Sequence, residues 1–296
     1  MSTTTHHSYA EGMPTRGPEP HLKELGAFLR TRRGELTPAQ AGLPELDQRR
    51  RVSGLRREEV AQLASISTDY YTRIEQGRLA PSPPVLTALV DALHLDSDQA
   101  EYLDSLADHA GHQPATTKPA RAASRIRPQV RRLIDQLADT PAIVLGPRTD
   151  ILAWNRLAAK VYVDFDACTP RELNYVRLIF TDPRMRTLFD DWPSVARSCV
   201  AILRREAAAN PDDPALAVLV GELTIADRQF GQWWSARHVA RQDFGTKTLN
   251  HPAAGQLVLD WEIFRYAGAP EQQLILNFAE ENSPTQQRLA ELIRAD

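Results

Sequence analysis

The stretch LRREEVAQLASISTDYYTRIEQGR, Leu55 to Arg78, constrains this chain more than any other. Val60, Leu63 and Ala64 fall at helical spacing, a tight corner follows, and Tyr71 and Ile74 share one face of a second short helix. Ser67 is the expected N-cap of that helix and Gly77 the expected residue just past its end. Its outer side carries Thr68, Asp69, Tyr70, Thr72 and Arg73. A helix so short and so polar makes a poor core element. It needs something outside the protein to touch.

Charge along the chain points to a polyanion. The formal net charge is -3, but the segment from Lys23 to Arg57 holds nine Lys/Arg against four Asp/Glu. Thr116 to Arg132 holds six basic residues and no acid. A nucleic acid senses the local field, not the sum. No apolar run approaches the roughly 20 residues that span a bilayer, so no membrane partner is expected. The N-terminus lacks a charged start followed by an apolar stretch. Cys168 and Cys199 are the two cysteines, too few for a disulfide framework and suited to a reducing, cytoplasmic setting.

The 296 residues suggest about two domains at roughly 150 residues each. Residues 1–20, rich in Ser, Thr, Gly and Pro, are expected to be disordered. Residues 21–110 carry five short helical patterns. The first starts at Leu22, Leu25, Phe28 and Leu29, the fourth opens at Ser82-Pro83, and the fifth opens at an Asp96/Gln99 capping box. Between the first two, a long connection presents Arg49, Arg50 and Arg51. Residues 111–127, with two prolines, a third following at Pro128, and only basic charges, form a linker. Residues 128–296 change character: AIVLG and DILAWN read as strands, then helices follow, clearest from Ser194 to Ala209 and Pro214 to Ile225. KTLNH, GQLVLDWEIFRYA and QQLILNFAE return to strands, and a last helix starts at Pro284. Strands at both ends with helices between them predict an α+β domain whose termini pair in one sheet.

A helix-turn-helix holds its second helix so that outward residues reach base edges in the major groove of duplex DNA. Ala61 and Ala64 before the corner, Ile66 in it, and Tyr71 and Ile74 behind the reading face supply the buried positions this needs. Over residues 21 to 109 the sequence resembles the lambda-repressor-like, XRE-type helix-turn-helix domain, an all-α fold of five helices. Arg56 stands where such domains usually carry a Ser or Thr N-cap, and Glu58 and Glu59 substitute in part through the helix dipole. Positional match to the family implies that Arg57, Thr68, Asp69, Tyr70 and Arg73 read bases, with Ser67 and Gln76 near phosphates. Arginine suits guanine and Asp can accept from cytosine. The plainer alternative packs Tyr70 on Tyr71 and lets Asp69 serve the helix N-terminus. Arg49, Arg50 and Arg51 read as a phosphate clamp or as a solvated loop. One reading helix covers few base pairs, so a homodimer on a near-palindromic operator is expected.

No catalytic constellation appears downstream, and the chain reads as a non-enzyme without a cofactor. His109 and His112 lack further ligands nearby, so no metal site is expected. Asp260 and Glu262 share one strand face, which an exposed position explains as well as acid–base work does. All five tryptophans lie after residue 128; they are equally consistent with core and with the wall of an apolar cavity. The segments DILAWN, FTDPRMRTLFDDW, NPDDPALAVLVGEL, LNHPAAGQLVLDWEIF and NSPTQQRL, in this order, resemble the ligand-binding domain of MmyB-like transcription regulators. That resemblance implies a PAS-like fold, an antiparallel sheet with inserted helices against one face, and a fatty-acid-like ligand. Trp154, Phe230, Trp233, Trp234 and Trp261 are the candidate wall residues. A DNA-binding regulator with a small-molecule sensor is the expectation, and a dimerisation or protein-interaction module without ligand is the alternative for the second domain.

Overall fold

The computed structural model describes residues 20–44, 53–111, 126–237 and 243–295. The N-terminal head is all helical: α1 (Pro20–Glu35), α2 (Arg57–Leu63), α3 (Thr68–Glu75), α4 (Pro83–Ala92) and α5 (Ser97–Gly111). Its core gathers Leu25, Phe28, Val60, Tyr71, Ile74 and Leu103, all without exposed surface. Asp96 and Gln99 close the expected capping box, each side chain accepting from the other's amide at 2.9 and 3.3 Å. Ser67 caps α3 by accepting from the Tyr70 amide at 3.1 Å. At Arg56, which cannot accept, Glu59 takes the Arg56 amide at 2.6 Å. The corner contains no glycine; Ser65 adopts the left-handed region at φ 55°.

Two glycines let α1 lie directly on α3. A Cβ at Gly26 would stand 2.4 Å from the Glu75 carbonyl oxygen. Gly77 sits at φ +68°, and a Cβ there would meet the Leu22 carbonyl oxygen at 2.9 Å. The reading helix is therefore held against the head by backbone contact as well as by side chains.

After α6 (Pro128–Gln136) come β1 (Ala142–Leu145) and β2 (Ile151–Trp154), then the helical insert and finally β3 (Phe244–His251), β4 (Gly255–Tyr266) and β5 (Ala269–Phe278). The sheet is antiparallel with strand order β2-β1-β5-β4-β3. β1 pairs with β5, Ile143 opposite Ile275, so the two ends of the domain do meet in one sheet. The insert consists of α7 (Arg156–Val161), α8 (Tyr175–Thr181), α9 (Pro183–Leu188), α10 (Trp192–Ala209), α11 (Pro214–Ala226) and α12 (Arg228–Ser235). Asn174, Asp191, Asp213 and Asp227 cap the helices that follow them, and α10 and α11 also carry a proline in the first turn. α13 (Pro284–Arg294) packs back on β4.

The inserted helices lie against one face of the sheet, as the resemblance implies, and α6 covers part of the other. Ile143 and Leu145 face the insert, but Ala142 and Val144 pack with Ile134 of α6 on the opposite face. Both faces of β1 are thus covered, which is why the strand reads as an unbroken apolar run. β4 alternates as its period predicts: Leu257 and Leu259 are buried, while Val258, Asp260, Glu262 and Phe264 are exposed on the outer face. That exposure accounts for Asp260 and Glu262. The Asp260 carboxylate accepts a 2.6 Å hydrogen bond from Thr246 across the strand pair.

Candidate nucleic-acid interface and ligand cavity

Ser67, Thr68, Asp69, Arg73 and Gln76 all lie exposed on the outer side of α3, and Thr72 and Tyr70 are half-buried beside them. Tyr70 packs partly against the head's core, so part of its ring serves the fold. Arg57 is placed differently from the expectation. Its Nε and Nη2 donate to Glu75 Oε1 at 3.0 and 2.8 Å, which ties its guanidinium to a protein carboxylate and withdraws those donors from a base. Arg49, Arg50 and Arg51 lie outside the described residues, as do the side chains of His109 and His112.

Glu75 is the residue that sequence reasoning passed over. Its side chain is fully buried and collects three arginines, Arg33 at 2.8 Å, Arg57 at 2.8 Å and Arg30 at 3.3 Å. Burial by itself would raise its pKa, but hydrogen bonds and charge from Arg33 and Arg57 more than offset this and hold the carboxyl below its ordinary value. One carboxylate cannot neutralise three guanidiniums. A net positive charge therefore remains beside α3, stitched to α1 and α2, where a phosphate backbone would sense it. The signal available in sequence was an apolar-face position, next to Ile74, occupied by an acid.

In the second domain a cavity of about 270 Å³ lies between α10 and the inner face of the sheet. Ile143, Leu145, Val195, Ile202, Trp261 and Ile275 give it apolar walls. Asp190 and Asp191, both exposed, stand at its rim, and Lys247 of β3 reaches it from the sheet. Burial pushes the Lys247 amine down to about 7 and the Cys199 thiol up to about 12.

Of the aromatic residues expected to wall it, Trp261 alone does so. Trp154 packs on Phe165 at 5.2 Å within the core. Phe230, Trp233 and Trp234 belong to α12, which packs on α10 and α11. Phe230 stacks on Trp234 at 5.9 Å and meets Phe180 edge-on at 5.1 Å, forming an aromatic core cluster with Trp192. A count of aromatics says nothing about the side of a helix on which they fall.

The head and the second domain touch through α10. Arg204 near its end is buried, lies 4.3 Å over the Trp234 ring and donates to Glu24 of α1 at 3.1 Å. Arg237 reaches the same Glu24 carboxylate at 3.2 Å, and Tyr102 of α5 donates to it at 3.3 Å. Arg32 of α1 donates to the Ala236 carbonyl at 2.8 Å, and Ala208 joins the head's own apolar cluster.

The helical head matches a helix-turn-helix domain family over residues 24–103. Residues 126–292, more than half of the chain, match the MmyB-like transcription regulator ligand binding domain. The chain belongs to the MmyB-like transcription regulators. It is a DNA-binding transcription regulator with a C-terminal ligand-binding domain, and this domain content is that of a regulator. No curated protein matches the chain. Among the described residues of this MmyB-like regulator, no helix is long and apolar enough to cross a membrane.

Proposed function

We propose that this regulator reads a near-palindromic operator as a homodimer and that an apolar, fatty-acid-like ligand in the α10–sheet cavity controls the reading. The observation that carries the proposal is the course of α10. Its first three turns, through Ser194, Val195, Ser198, Cys199 and Ile202, wall the cavity, and its last turns carry Arg204 and Ala208 into contact with the head. A ligand that favours one seating of α10 shifts the population of head positions, because a packed helix moves as a unit. The apolar walls suit an acyl chain.

Thr68, Asp69, Tyr70 and Arg73 are the proposed base readers, with Ser67, Gln76 and the Arg49–Arg51 run on phosphates. The homodimer reading draws on the outer sheet face. Phe244, Val258, Phe264 and Phe278 leave 72, 44, 44 and 37% of their surfaces exposed there, an apolar face that a second copy would cover. Such a protein would act in the cytoplasm, at the nucleoid.

Titrating the full chain with saturated fatty acids of increasing length tests the sensor reading. Binding should change tryptophan emission, because Trp261 lies on the wall, and should shift operator affinity. Unchanged emission and unchanged DNA binding across the series would discard it. Light scattering together with footprinting tests the dimer, which a monomer protecting a single half-site would exclude.

A further inference from the structure

The cavity walls are apolar in large part, with hydroxyl and amide side chains between the aliphatic ones, and they carry one amine. Lys247 projects from β3, in register with Leu259, and its Nζ lies 5.2 Å from the Tyr162 ring centroid and 5.9 Å from that of Trp261. Among the described residues no carboxylate pairs with it and no acceptor takes a hydrogen bond from it. The titratable groups around it are Cys199 on α10, Tyr162 after α7 and Tyr175 on α8, and burial raises the pKa of each, which keeps it neutral. Gln273 and Asn277 of β5 are uncharged, and Asn277 accepts from the Tyr162 hydroxyl at 2.9 Å. Asp191 is engaged in capping α10 at 3.1 Å, and Asp190 accepts from Asn250 at 3.1 Å. Neither forms an ion pair with the amine.

An ammonium half withdrawn from water without a counter-ion is costly, and an anion entering beside it offsets part of that cost. Two ring faces stabilise a cation there but do not discharge it. Lysine placed at this point of an apolar wall adds nothing to packing that leucine would not supply.

We infer that Lys247 is the anchor for the headgroup of an amphiphilic monocarboxylate, whose chain lies along Ile143, Leu145, Val195, Ile202 and Ile275. A single negative charge fits best, because one cation faces the headgroup and the two rim aspartates would repel a second charge. This assignment rests on the proposed sensor role of the cavity. It also predicts a pH dependence. The free amine titrates near 7, so the carboxylate finds it charged below that pH and must raise its pKa above it. Affinity for the acid is level just below pH 7 and falls as pH rises beyond it.

The test compares dodecanoic acid with dodecanol on the full chain, read by calorimetry and tryptophan emission at about pH 6.5 and about pH 8.5, either side of the titration. The acid should bind about tenfold or more tightly than the alcohol at the lower pH, and the preference should shrink at the higher. Lys247→Met should keep dodecanol binding and lose the preference, while Lys247→Arg should restore it. Alcohol binding by the Met variant also reports that its cavity is folded. Acid and alcohol binding alike to the wild-type protein, or a preference that survives in Lys247→Met, overturns the anchor and leaves the sensor standing. If neither probe binds the wild-type protein, the acyl-ligand reading itself falls and the anchor falls with it.

Discussion

Arg73 is the side chain on which base reading depends most directly. It is exposed on the last turn of α3, makes no ion pair among the described residues, and guanidinium is the group best matched to guanine. Arg73→Ala is expected to lose about 1–3 kcal/mol of operator affinity and to relax the preference at one base position. Competition binding against random DNA measures both. An equal loss on both DNAs would assign Arg73 to phosphate contact. Arg49, Arg50 and Arg51 should behave in the opposite way, their replacement weakening all sequences alike and flattening the salt dependence. The residue scale also separates Arg57 from its neighbours on α3. Its charge remains near the interface while its geometry is spent on Glu75.

At the scale of elements, Glu75 joins α1, α2 and α3 through Arg30, Arg33 and Arg57. Removing one side of a buried charge pair usually costs about 3–5 kcal/mol, because the partners keep their desolvation without the attraction. Glu75→Gln should therefore lower the melting temperature of the head, with operator binding weakened as α3 loosens. The sign with pH follows from a carboxyl held below its ordinary value. Its stabilisation is complete above the unfolded-state pKa, about 4.3, and is lost as pH falls through the lower folded value. Melts of wild type and variant followed by circular dichroism should differ most near neutral pH and converge in acid. A difference that does not shrink as the pH is lowered into acid would show that packing and not charge holds the three helices.

For the whole molecule the decisive contact is Glu24, which receives Arg204 and Arg237 from the second domain and Tyr102 from the head. If α10 carries the ligand's effect, this carboxylate is where the head receives it. Glu24→Ala should leave dodecanoate binding in the cavity intact and reduce its effect on operator affinity from the 5–150-fold typical of coupled sites towards none. DNA titrations with and without dodecanoate read the coupling directly. An unchanged ratio would move the coupling to the Arg32–Ala236 contact or to dimer geometry.

Local information carried much of this structure. The caps at Ser67 and Asp96, the alternation of β4 and the apolar run of β1 each follow from contacts within a few residues, and each is legible in the chain. The left-handed corner at Ser65 was not, because no glycine marks it. Beyond the pairing of the domain's two ends in one sheet, side-chain contacts between distant segments were not legible either. Nothing near Lys247 in sequence says that Tyr162, Cys199 and Trp261 will surround it, nothing near Arg57 announces Glu75, and no composition distinguishes Trp261 on a cavity wall from Trp234 beneath Arg204. Propensity, capping and periodicity act within a turn or a strand, so the sequence alone determined most of the elements, though not α6, and with them the fold class and the family. Which buried charge meets which partner is set by the packing of α1 and α2 on α3 and of α10 between sheet and head, and only the tertiary structure decided that.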